Sequence, residues 1–329
     1  MEDDLDITLG DVLEASVRVA PYVRTTPVAE SPWLSEVTGA HVFLKLENLQ
    51  VTGSFKARGA VSKLLFLTSS ERSRGVIAAS AGNHAQGVAY AAARLGISAL
   101  IVIPEGTPAT KMAGIRRYGA ELRIVGANYD ESEACARALA ASTGRVMVHA
   151  FEDAAVVAGQ GTVALETLLR DPAWDSVLVP AGGGGLIAGM GTVVKAIRPA
   201  ASVIGVQSEA SPAWYESFRA GHVVGVEYRP TLAEGLLGGI GRRNFALVRR
   251  VADRMELVNE SAIAQAMAGL AQEHHLMVEG SGVVGVAALL SGVIRPARAS
   301  RILVVISGGN VDAKRLARLI LAEEGAPPA

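Results

Sequence analysis

The sequence predicts an α/β protein with two lobes, each built on an open, mostly parallel sheet flanked by helices. Two observations carry this prediction. Short apolar segments rich in β-branched residues alternate with alanine-rich helical segments, and this alternation occurs twice along the 329-residue chain. Because a parallel sheet is covered by helices on both faces, its strands are apolar along their whole length. A chain with 50% hydrophobic and 19% charged residues is long enough to bury two cores.

The first set of alternating segments lies between residues 75 and 150. Each apolar strand there is followed by a helix, which is the pattern of a parallel sheet. We therefore expect residues 75–150 to form the smaller domain. The predicted strands are 76–80, 99–104, 121–126 and 146–150, and the predicted helices are 83–96, 108–119 and 130–144.

The second set begins after Phe151 and includes an irregular stretch at 211–241. The first 74 residues do not close a sheet of their own, so we expect residues 1–74 and 151–329 to form one large domain. The cleft between the two domains is the natural binding site.

The last five residues, GAPPA, are predicted to be disordered. The remaining predicted elements are helices at 157–169, 185–197 and 261–275, a helix after Gly282, strands at 176–181, 203–209 and 302–309, and a C-terminal helix.

Charge and cysteine content narrow the classes of partner. The chain has 31 basic and 32 acidic residues, which favours a small-molecule ligand over nucleic acid or a membrane surface. Its single cysteine, Cys135, cannot form an intramolecular disulfide. The acidic N-terminus lacks the basic and apolar regions of a secretory signal, so we expect a cytoplasmic protein.

Lys56 is the first candidate for chemistry. It follows Phe55 in KLENLQVTGSFKARGA, where an apolar, β-prone segment gives way to a helical one. At a helix N-terminus the dipole disfavours a positive charge, and a neutral amine is the form that attacks an aldehyde to make a Schiff base. On this segment alone, a solvated lysine that opens a helix is the simpler explanation.

The segment SAGNHAQG, residues 80–87, follows the first strand of the smaller domain. Gly82 permits a tight turn, while Ser80, Asn83 and the free N–H groups of the helix start could hold a carboxylate. Ligands bind at this edge of parallel sheets. An ordinary Asn or Ser helix cap is the alternative, and His84 inside the first turn is a weak candidate for a base.

Four consecutive glycines stand between an apolar strand and an apolar helix. Such a run costs conformational entropy unless a ligand touches the backbone, and a cup of N–H donors at a helix start suits phosphate. The absence of a GK[ST] sequence excludes a Walker site. Glu209 and the G-x-G-x-x-A pattern that ends at Ala188 leave a nicotinamide dinucleotide as an alternative. The glycines are Gly182, Gly183, Gly184 and Gly185.

Ser307 ends the last predicted strand, in ILVVISGGN. Its hydroxyl could face a ring nitrogen, although a plain strand-to-helix turn explains the segment alone. Together the four segments require a ligand with a phosphate, an electrophile for an amine and a polar ring. Pyridoxal 5'-phosphate meets all three requirements.

In their order and spacing, these segments resemble fold-type II pyridoxal-phosphate enzymes of the threonine and serine dehydratase family, over nearly the whole chain. The resemblance implies a tryptophan synthase β-like fold, a homodimer, and a lyase that converts a small β-hydroxy amino acid to a 2-oxo acid and ammonia. The motifs that carry it are TGSFK with Lys56, SAGNH with Asn83, GGGGL, TLAEG at 231–235, VEGSGVVG around Glu279, and SGGN with Ser307.

The resemblance also implies roles for individual residues. Lys56 would form the Schiff base and take the Cα proton, with Phe55 beside the ring. The large domain would bind the cofactor and the smaller one the substrate carboxylate. The implied cofactor-binding residues are Phe55, Lys56, Asn83 (at the ring hydroxyl), Gly182, Gly183, Gly184, Gly185 and Leu186 (at the phosphate), Glu279, and Ser307 (at the pyridine nitrogen). The implied substrate loop is Ser80, Ala81, Gly82, Asn83 and His84.

Departures from the family pattern refine these expectations. Relatives that racemise serine have a second serine at Ala81, so we expect little racemase activity. Metal-dependent relatives have carboxylates at Gln207 and near Ala213, so we expect no metal, although Glu209 is close. Biosynthetic relatives append a regulatory domain, for which we expect no room here.

The substrate side chain and the reaction type leave several alternatives open. The loop at 235–248 resembles dehydratases of hydroxyectoine-derived or other unusual hydroxy amino acids, including 3-substituted serines. A pyridoxal-phosphate enzyme that replaces the β-substituent is a second alternative. A nicotinamide-dependent oxidoreductase and a non-catalytic binding protein are the alternatives outside this cofactor class.

Overall fold

The computed structural model describes residues 4–324, so the GAPPA tail lies outside the described residues. The β-strands are β1 (Val28–Glu30), β2 (His41–Leu46), β3 (Val76–Ala79), β4 (Ala99–Ile103), β5 (Glu121–Ile124), β6 (Val146–Met147), β7 (Ser176–Pro180), β8 (Ser202–Ser208), β9 (Arg254–Val258) and β10 (Arg301–Ile306). The α-helices are α1 (Leu9–Val19), α2 (Pro32–Thr38), α3 (Lys56–Phe66), α4 (Ser69–Arg74), α5 (Asn83–Leu95), α6 (Ala109–Arg116), α7 (Tyr129–Thr143), α8 (Ala154–Leu168), α9 (Gly185–Ile197), α10 (Ala213–Ala220), α11 (Phe245–Val251), α12 (Glu260–His274), α13 (Gly280–Leu290) and α14 (Ala313–Glu324).

These strands form two sheets. The larger sheet has six strands in the order β1-β2-β10-β7-β8-β9, and the smaller has four in the order β5-β4-β3-β6. All pairs are parallel except β1 with β2, which is antiparallel. The predicted fold class, two mostly parallel sheets flanked by helices, is confirmed. The division into domains at residues 74 and 150 stays a prediction, but β1 and β2 do belong to the larger sheet.

Most predicted elements agree with the structure to within a few residues. Helix α9 has the predicted bounds, whereas β6 is two residues long in place of five. The stretch predicted as irregular contains helix α10, and the elements that were not predicted include α1, β1, α2, α4, α11 and β9. Helix α11 and strand β9 carry arginines at exposed positions, which interrupt the apolar pattern on which the prediction depended. No helix among the described residues is long and apolar enough to cross a membrane.

Helix α3 connects the two sheets and packs closely on both sides. A Cβ atom added at Gly87 of α5 would lie 3.0 Å from the carbonyl oxygen of Lys56. On the other side, a Cβ added at Gly159 of α8 would lie 2.7 Å from the carbonyl oxygen of Arg58. Because glycine on each neighbour lets the backbones approach, α3 is held in a fixed position between them.

A buried ion network lies under the start of α3. The Arg58 guanidinium donates to Glu47 at 2.7 and 2.8 Å and to Glu166 at 2.8 and 3.0 Å. Lys45 adds a second cation, which donates to Glu166 and to the Thr26 carbonyl. Two cations therefore face two carboxylates, and these partners hold the pKa of Glu166 below its usual value against the opposing effect of burial.

We expect Arg58→Met to lower the free energy of unfolding by about 3–5 kcal/mol, because it leaves buried carboxylates short of a partner. The side chains of Arg58 and Glu47 are 1% and 0% exposed. Urea denaturation of both proteins measures the difference. The control is Arg250→Met, which removes an ion pair with Asp6 whose partners are 59% and 73% exposed, and it should change stability by less than about 1 kcal/mol. Equal effects of the two changes would contradict the prediction.

Candidate active site

The site lies where the carboxyl ends of strands from both sheets face each other. Lys56 is the first residue of α3, as predicted. Its Nζ donates to the carbonyl of Ala150 at 3.1 Å and stands 5.2 Å from the centre of the Phe55 ring. The amine from one end of α3 therefore reaches the segment that leaves the smaller sheet after β6.

Burial lowers the pKa of Lys56 to about 8, and the Glu279 carboxylate opposes this shift only partly. The sequence indicated a weakened positive charge through the helix dipole, whereas in the structure the lowered pKa of Lys56 is caused by desolvation. At pH 7 a lysine of this pKa is unprotonated in about one molecule in ten, against fewer than about one in a thousand for an ordinary lysine. The amine is thus available as a nucleophile and as a base.

The glycine loop turns its carbonyl groups away from the site. The Trp214 indole Nε1 donates to the Gly182 carbonyl at 2.6 Å, and Asn244 Nδ2 and the N–H of Gly241 both donate to the Gly183 carbonyl at 3.1 Å. In contrast, the N–H groups of residues 182–185 have no acceptor within the described part of the chain. With α9 starting at Gly185, they form the predicted cup of donors, which suits an anion.

Two aromatic rings lie directly behind this loop. A Cβ at Gly183 would be 2.2 Å from the Phe151 ring, and one at Gly184 would be 2.4 Å from Trp214. Gly184 also has a φ of +97°, in the left-handed region that favours glycine. Packing therefore requires glycine in this loop as much as ligand binding does. The two rings leave no room for side chains, and the loop conformation that fits against them exposes its N–H groups.

The segment 80–84 forms a tight turn into α5. Gly82 is the N-cap of this helix, and no side chain caps it, so the alternative of a Ser or Asn cap does not hold. Ser80 Oγ accepts from the N–H of Gly82 at 3.2 Å and keeps its own hydrogen to donate. The free N–H groups of the first turn and the Ser80 hydroxyl can therefore bind a carboxylate, with Ala81 beside them.

His84 is buried, with 4% exposure, and its Nε2 contacts the Val148 carbonyl at 2.8 Å. Because a carbonyl only accepts, Nε2 carries the proton, and burial lowers the pKa of the ring to about 3. The imidazole is neutral, which makes it unsuitable as a proton donor at neutral pH. A role of His84 toward a substrate stays a prediction, and its backbone N–H in the first turn of α5 is the group we expect to contribute.

Asn83 bonds across the cleft to two residues of the larger lobe. Its Nδ2 donates to Glu279 Oε1 at 2.6 Å, and its Oδ1 accepts from Asn310 Nδ2 at 2.7 Å. Burial raises the pKa of Glu279 to about 7, partly opposed by the hydrogen bond from Asn83. Ser307 is buried nearby, and the one contact of its hydroxyl in the described residues is a long one, 3.5 Å to the Ser281 carbonyl. That hydroxyl is thus available to a ring nitrogen.

A second contact across the cleft is ionic. Glu234 accepts from Lys111 of α6 at 2.9 Å and from Arg315 of α14. All three side chains are 40% or more exposed, so solvent and salt weaken this contact. Glu234 lies in the TLAEG motif, and its side chain contacts residues of both lobes.

Gln207 is fully buried, and its Oε1 accepts from the N–H groups of Trp214 and Tyr215 at 2.8 and 3.1 Å. The amide thereby binds the start of α10, the helix that carries Trp214 against the glycine loop. Of the other two residues considered for a metal site, Ala213 has an apolar side chain and Glu209 is exposed.

Several residues of the site were not found from the sequence. Phe151, Trp214 and Asn244 are far from the glycine loop in the chain and reach it only through the fold. Asn310 could have been considered, because it belongs to the SGGN segment together with Ser307. The candidates that the structure brings together are Lys56, Asn83, Glu279, Ser307 and the glycine loop.

Comparisons with known proteins agree with this geometry. A sequence model of the family described as "Pyridoxal-phosphate dependent enzyme" matches residues 19–308. The L-threonine ammonia-lyase of Thermotoga maritima is 45% identical over 95% of this chain and 78% of the relative. The structure of a T.th. threonine deaminase is 41% identical with a TM-score of 0.87, over 93% of this chain and 99% of that one. Maize serine racemase is 34% identical with a TM-score of 0.92, over 97% of this chain and 98% of that one.

The described residues fit pyridoxal phosphate. The donor cup suits the phosphate, and Lys56 offers a half-buried amine of lowered pKa to the aldehyde. The Ser307 hydroxyl, whose one contact in the described residues is at 3.5 Å, is available to the ring nitrogen. Among the described residues, a nicotinamide dinucleotide would account only for the glycine loop, and Glu209, the residue considered for its ribose, is exposed.

We expect Gly183→Ala to weaken the affinity for pyridoxal phosphate by about 5- to 150-fold, because the added Cβ overlaps the Phe151 ring and shifts the loop. The dissociation constant is measured by titrating the apo protein. Gly225→Ala is the matched control, since nothing lies within 4 Å of its Cβ position. An unchanged affinity in Gly183→Ala would show that the donor cup does not hold the phosphate.

Proposed function

The chain belongs to the family of pyridoxal-phosphate dependent enzymes, and from this premise we propose that it is an ammonia-lyase acting on a small β-hydroxy amino acid such as L-threonine or L-serine. The reaction first eliminates one water molecule from the substrate. Hydrolysis of the product then consumes one water molecule and yields a 2-oxo acid and ammonia. The names of its relatives support this assignment, since they include an L-threonine ammonia-lyase and a threonine deaminase.

One observation carries the proposal: the half-buried Lys56 amine lies at the start of α3, 3.1 Å from the Ala150 carbonyl, and desolvation there lowers its pKa to about 8. An amine of ordinary pKa would be almost entirely protonated at neutral pH, and its small neutral fraction would make it a much poorer nucleophile and base. Lys56 Nζ is held at the Ala150 carbonyl, which accepts its hydrogen and fixes its place. We assign to it both the covalent attachment of the cofactor and the removal of the substrate Cα proton.

When bound, pyridoxal phosphate withdraws electrons from the amino acid and makes its Cα proton acidic. The chain's own residues position the reactants. The donors of the turn at Ser80 and the first turn of α5 bind the substrate carboxylate, and the glycine loop binds the cofactor phosphate. Asn83 and Ser307 bind the ring hydroxyl and the ring nitrogen.

The neutral hydroxyl of Ser307 affects which type of reaction the bound cofactor would support. A carboxylate at this position would keep the ring nitrogen protonated, whereas a serine hydroxyl does not. With a neutral hydroxyl as its partner, the bound ring would supply less electron withdrawal, so Ser307 would favour reactions that expel a β-substituent. Loss of the β-substituent is the first half of both elimination and β-replacement, so Ser307 is compatible with either reaction. The choice of a lyase depends on the names of the relatives.

We also propose a cellular location, an oligomeric state and a division of roles between the two domains. We place the protein in the cytoplasm, supported by its lone Cys135, and we propose a homodimer on the family resemblance. We also propose that residues 1–74 with 151–329 act as the cofactor-binding domain and residues 75–150 as the domain that carries the substrate loop.

The lyase is tested by supplying the holoenzyme with a panel of β-hydroxy amino acids and measuring the 2-oxo acid and ammonia together. We expect equal amounts of both products from L-threonine or L-serine, and a loss of rate of about 10²- to 10⁴-fold or more in Lys56→Ala. Lys63→Ala, on the same helix but paired with Asp153, is the control and should keep its rate. Release of a thioether from an activated serine and a thiol, without 2-oxo acid, would favour β-replacement instead.

Racemisation separates this chain from the serine racemase that it resembles in structure. A proton can be returned to the opposite face of the substrate only by a second acid, and the Ala81 methyl group supplies none. We expect D-serine to form at less than about 1% of the elimination rate, and Ala81→Ser to raise this fraction. Chiral chromatography of serine incubated with each enzyme measures it, and rapid D-serine formation by the unmodified enzyme would falsify the argument.

A further inference from the structure

We propose that Asn310 and Glu279 are positioning residues that fix the side-chain amide of Asn83 in one orientation, so that it offers the cofactor a hydrogen-bond donor. This inference rests on the proposed contact between Asn83 and the ring hydroxyl. An asparagine amide can present either its oxygen or its NH₂ group, and the two choices have opposite effects on a neighbouring hydroxyl. The bonds around Asn83 leave only one choice.

The orientation is set at a backbone group. Asn310 Nδ2 donates to the carbonyl oxygen of Thr52 at 2.8 Å. A carbonyl oxygen accepts and never donates, so this contact requires the NH₂ group of Asn310 on that side. The same Nδ2 donates its second hydrogen to Asn83 Oδ1 at 2.7 Å, which uses both of its hydrogens.

Asn83 must then present its oxygen to Asn310 and its NH₂ group to the other side. There Nδ2 donates one hydrogen to Glu279 Oε1 at 2.6 Å. Its second hydrogen has no acceptor within residues 4–324. Within the described residues, the side-chain NH₂ group of Asn83 therefore keeps one hydrogen without an acceptor, while its Oδ1 is held by the bond from Asn310.

This polarity does not depend on the charge of Glu279. Burial raises the pKa of that carboxyl to about 7, so both of its forms are present near neutral pH. A protonated carboxyl still has a carbonyl oxygen that accepts, and Asn83 cannot turn its oxygen toward it without losing the bond from Asn310. The chain of bonds is thus anchored at Thr52, and Glu279 completes it.

Close packing supports the same arrangement. A Cβ at Gly53 would lie 2.6 Å from Asn310 Oδ1, and a Cβ at Gly308 would lie 2.4 Å from Glu279 Oε1 and 3.2 Å from Asn83 Nδ2. Glycine at these two positions leaves room for the amide and carboxyl groups to meet. Asn83 belongs to the smaller lobe, and its partners belong to the larger one.

The consequence concerns the cofactor's ring hydroxyl. A donor aimed at an oxygen favours its ionised form, whereas an acceptor would favour the protonated form. By fixing Asn83 as a donor, Asn310 is expected to lower the pH at which the bound cofactor changes its protonation state and to tighten its binding.

The test compares Asn310→Ala, Asn310→Asp and the control Asn48→Ala in the holoenzyme. Asn48 also donates to a backbone carbonyl near this turn, that of Met277, but it is outside the chain of bonds. Two quantities are measured: the dissociation constant of pyridoxal phosphate, and the visible absorption of the bound cofactor as a function of pH. Asn310 is exposed, so we expect all variants to fold, and their melting temperatures verify it.

We expect both Asn310 variants to weaken cofactor binding by about tenfold and to move the absorption titration to higher pH, with Asn48→Ala unchanged. Asp has the shape of Asn but cannot donate from that position, so its effect should equal or exceed that of Ala. If Asn310→Asp behaved like the unmodified enzyme, shape alone would matter and the inference would fail.

A double-mutant cycle separates this inference from the proposed role of Asn83. Asn310→Ala should have no further effect on either quantity in an Asn83→Ala background, because it acts through Asn83. If Asn83→Ala itself leaves the absorption titration unchanged, the proposed contact with the ring hydroxyl is wrong. If Asn83→Ala shifts the titration but Asn310→Ala does not, or if the two effects add, only the orientation role is overturned.

Discussion

The position of the Lys56 amine depends on how closely helix α3 packs between its neighbours. Glycines on α5 and α8 let the helix backbones touch, so α3 cannot shift without collision. Two residues after Lys56, the Arg58 guanidinium bonds to Glu47 and Glu166 under the helix. Because α3 is held in place, the Lys56 amine stays surrounded by protein and is largely shielded from water. This desolvation lowers its pKa. Its chemistry is therefore a property of the packing around α3.

The glycine loop shows how packing and ligand binding can require the same residues. Phe151 and Trp214 occupy the space in which side chains would otherwise stand. Hydrogen bonds from Trp214 and Asn244 hold the loop carbonyls on that side. Because both requirements turn the N–H groups toward the site, the loop is formed before a phosphate arrives, and little ordering is needed on binding.

The cleft is closed by polar bonds as well as by shape. Asn83 joins the smaller lobe to Glu279 and Asn310 of the larger one, and Glu234 joins Lys111 to Arg315. The bond between Asn83 and Glu279 is short and partly buried, whereas the ion pairs of Glu234 are exposed and weakened by solvent. The residues that would bind the cofactor thus also connect the two lobes.

The sequence alone determined the fold class, the start of α3 at Lys56, the bounds of α9 and the motifs at the sheet edges, because these depend on local periodicity and turn chemistry. It also indicated the family through the order of those motifs. Only the tertiary structure decided why the Lys56 amine has a lowered pKa, since the cause is desolvation by the surrounding residues, which the sequence argument from the helix dipole did not include. It likewise decided that aromatic rings stand behind the glycines, that His84 is buried and neutral, and that Asn310 bonds to Asn83. These features come from residues far apart in the chain, and no local pattern encodes which of them will meet.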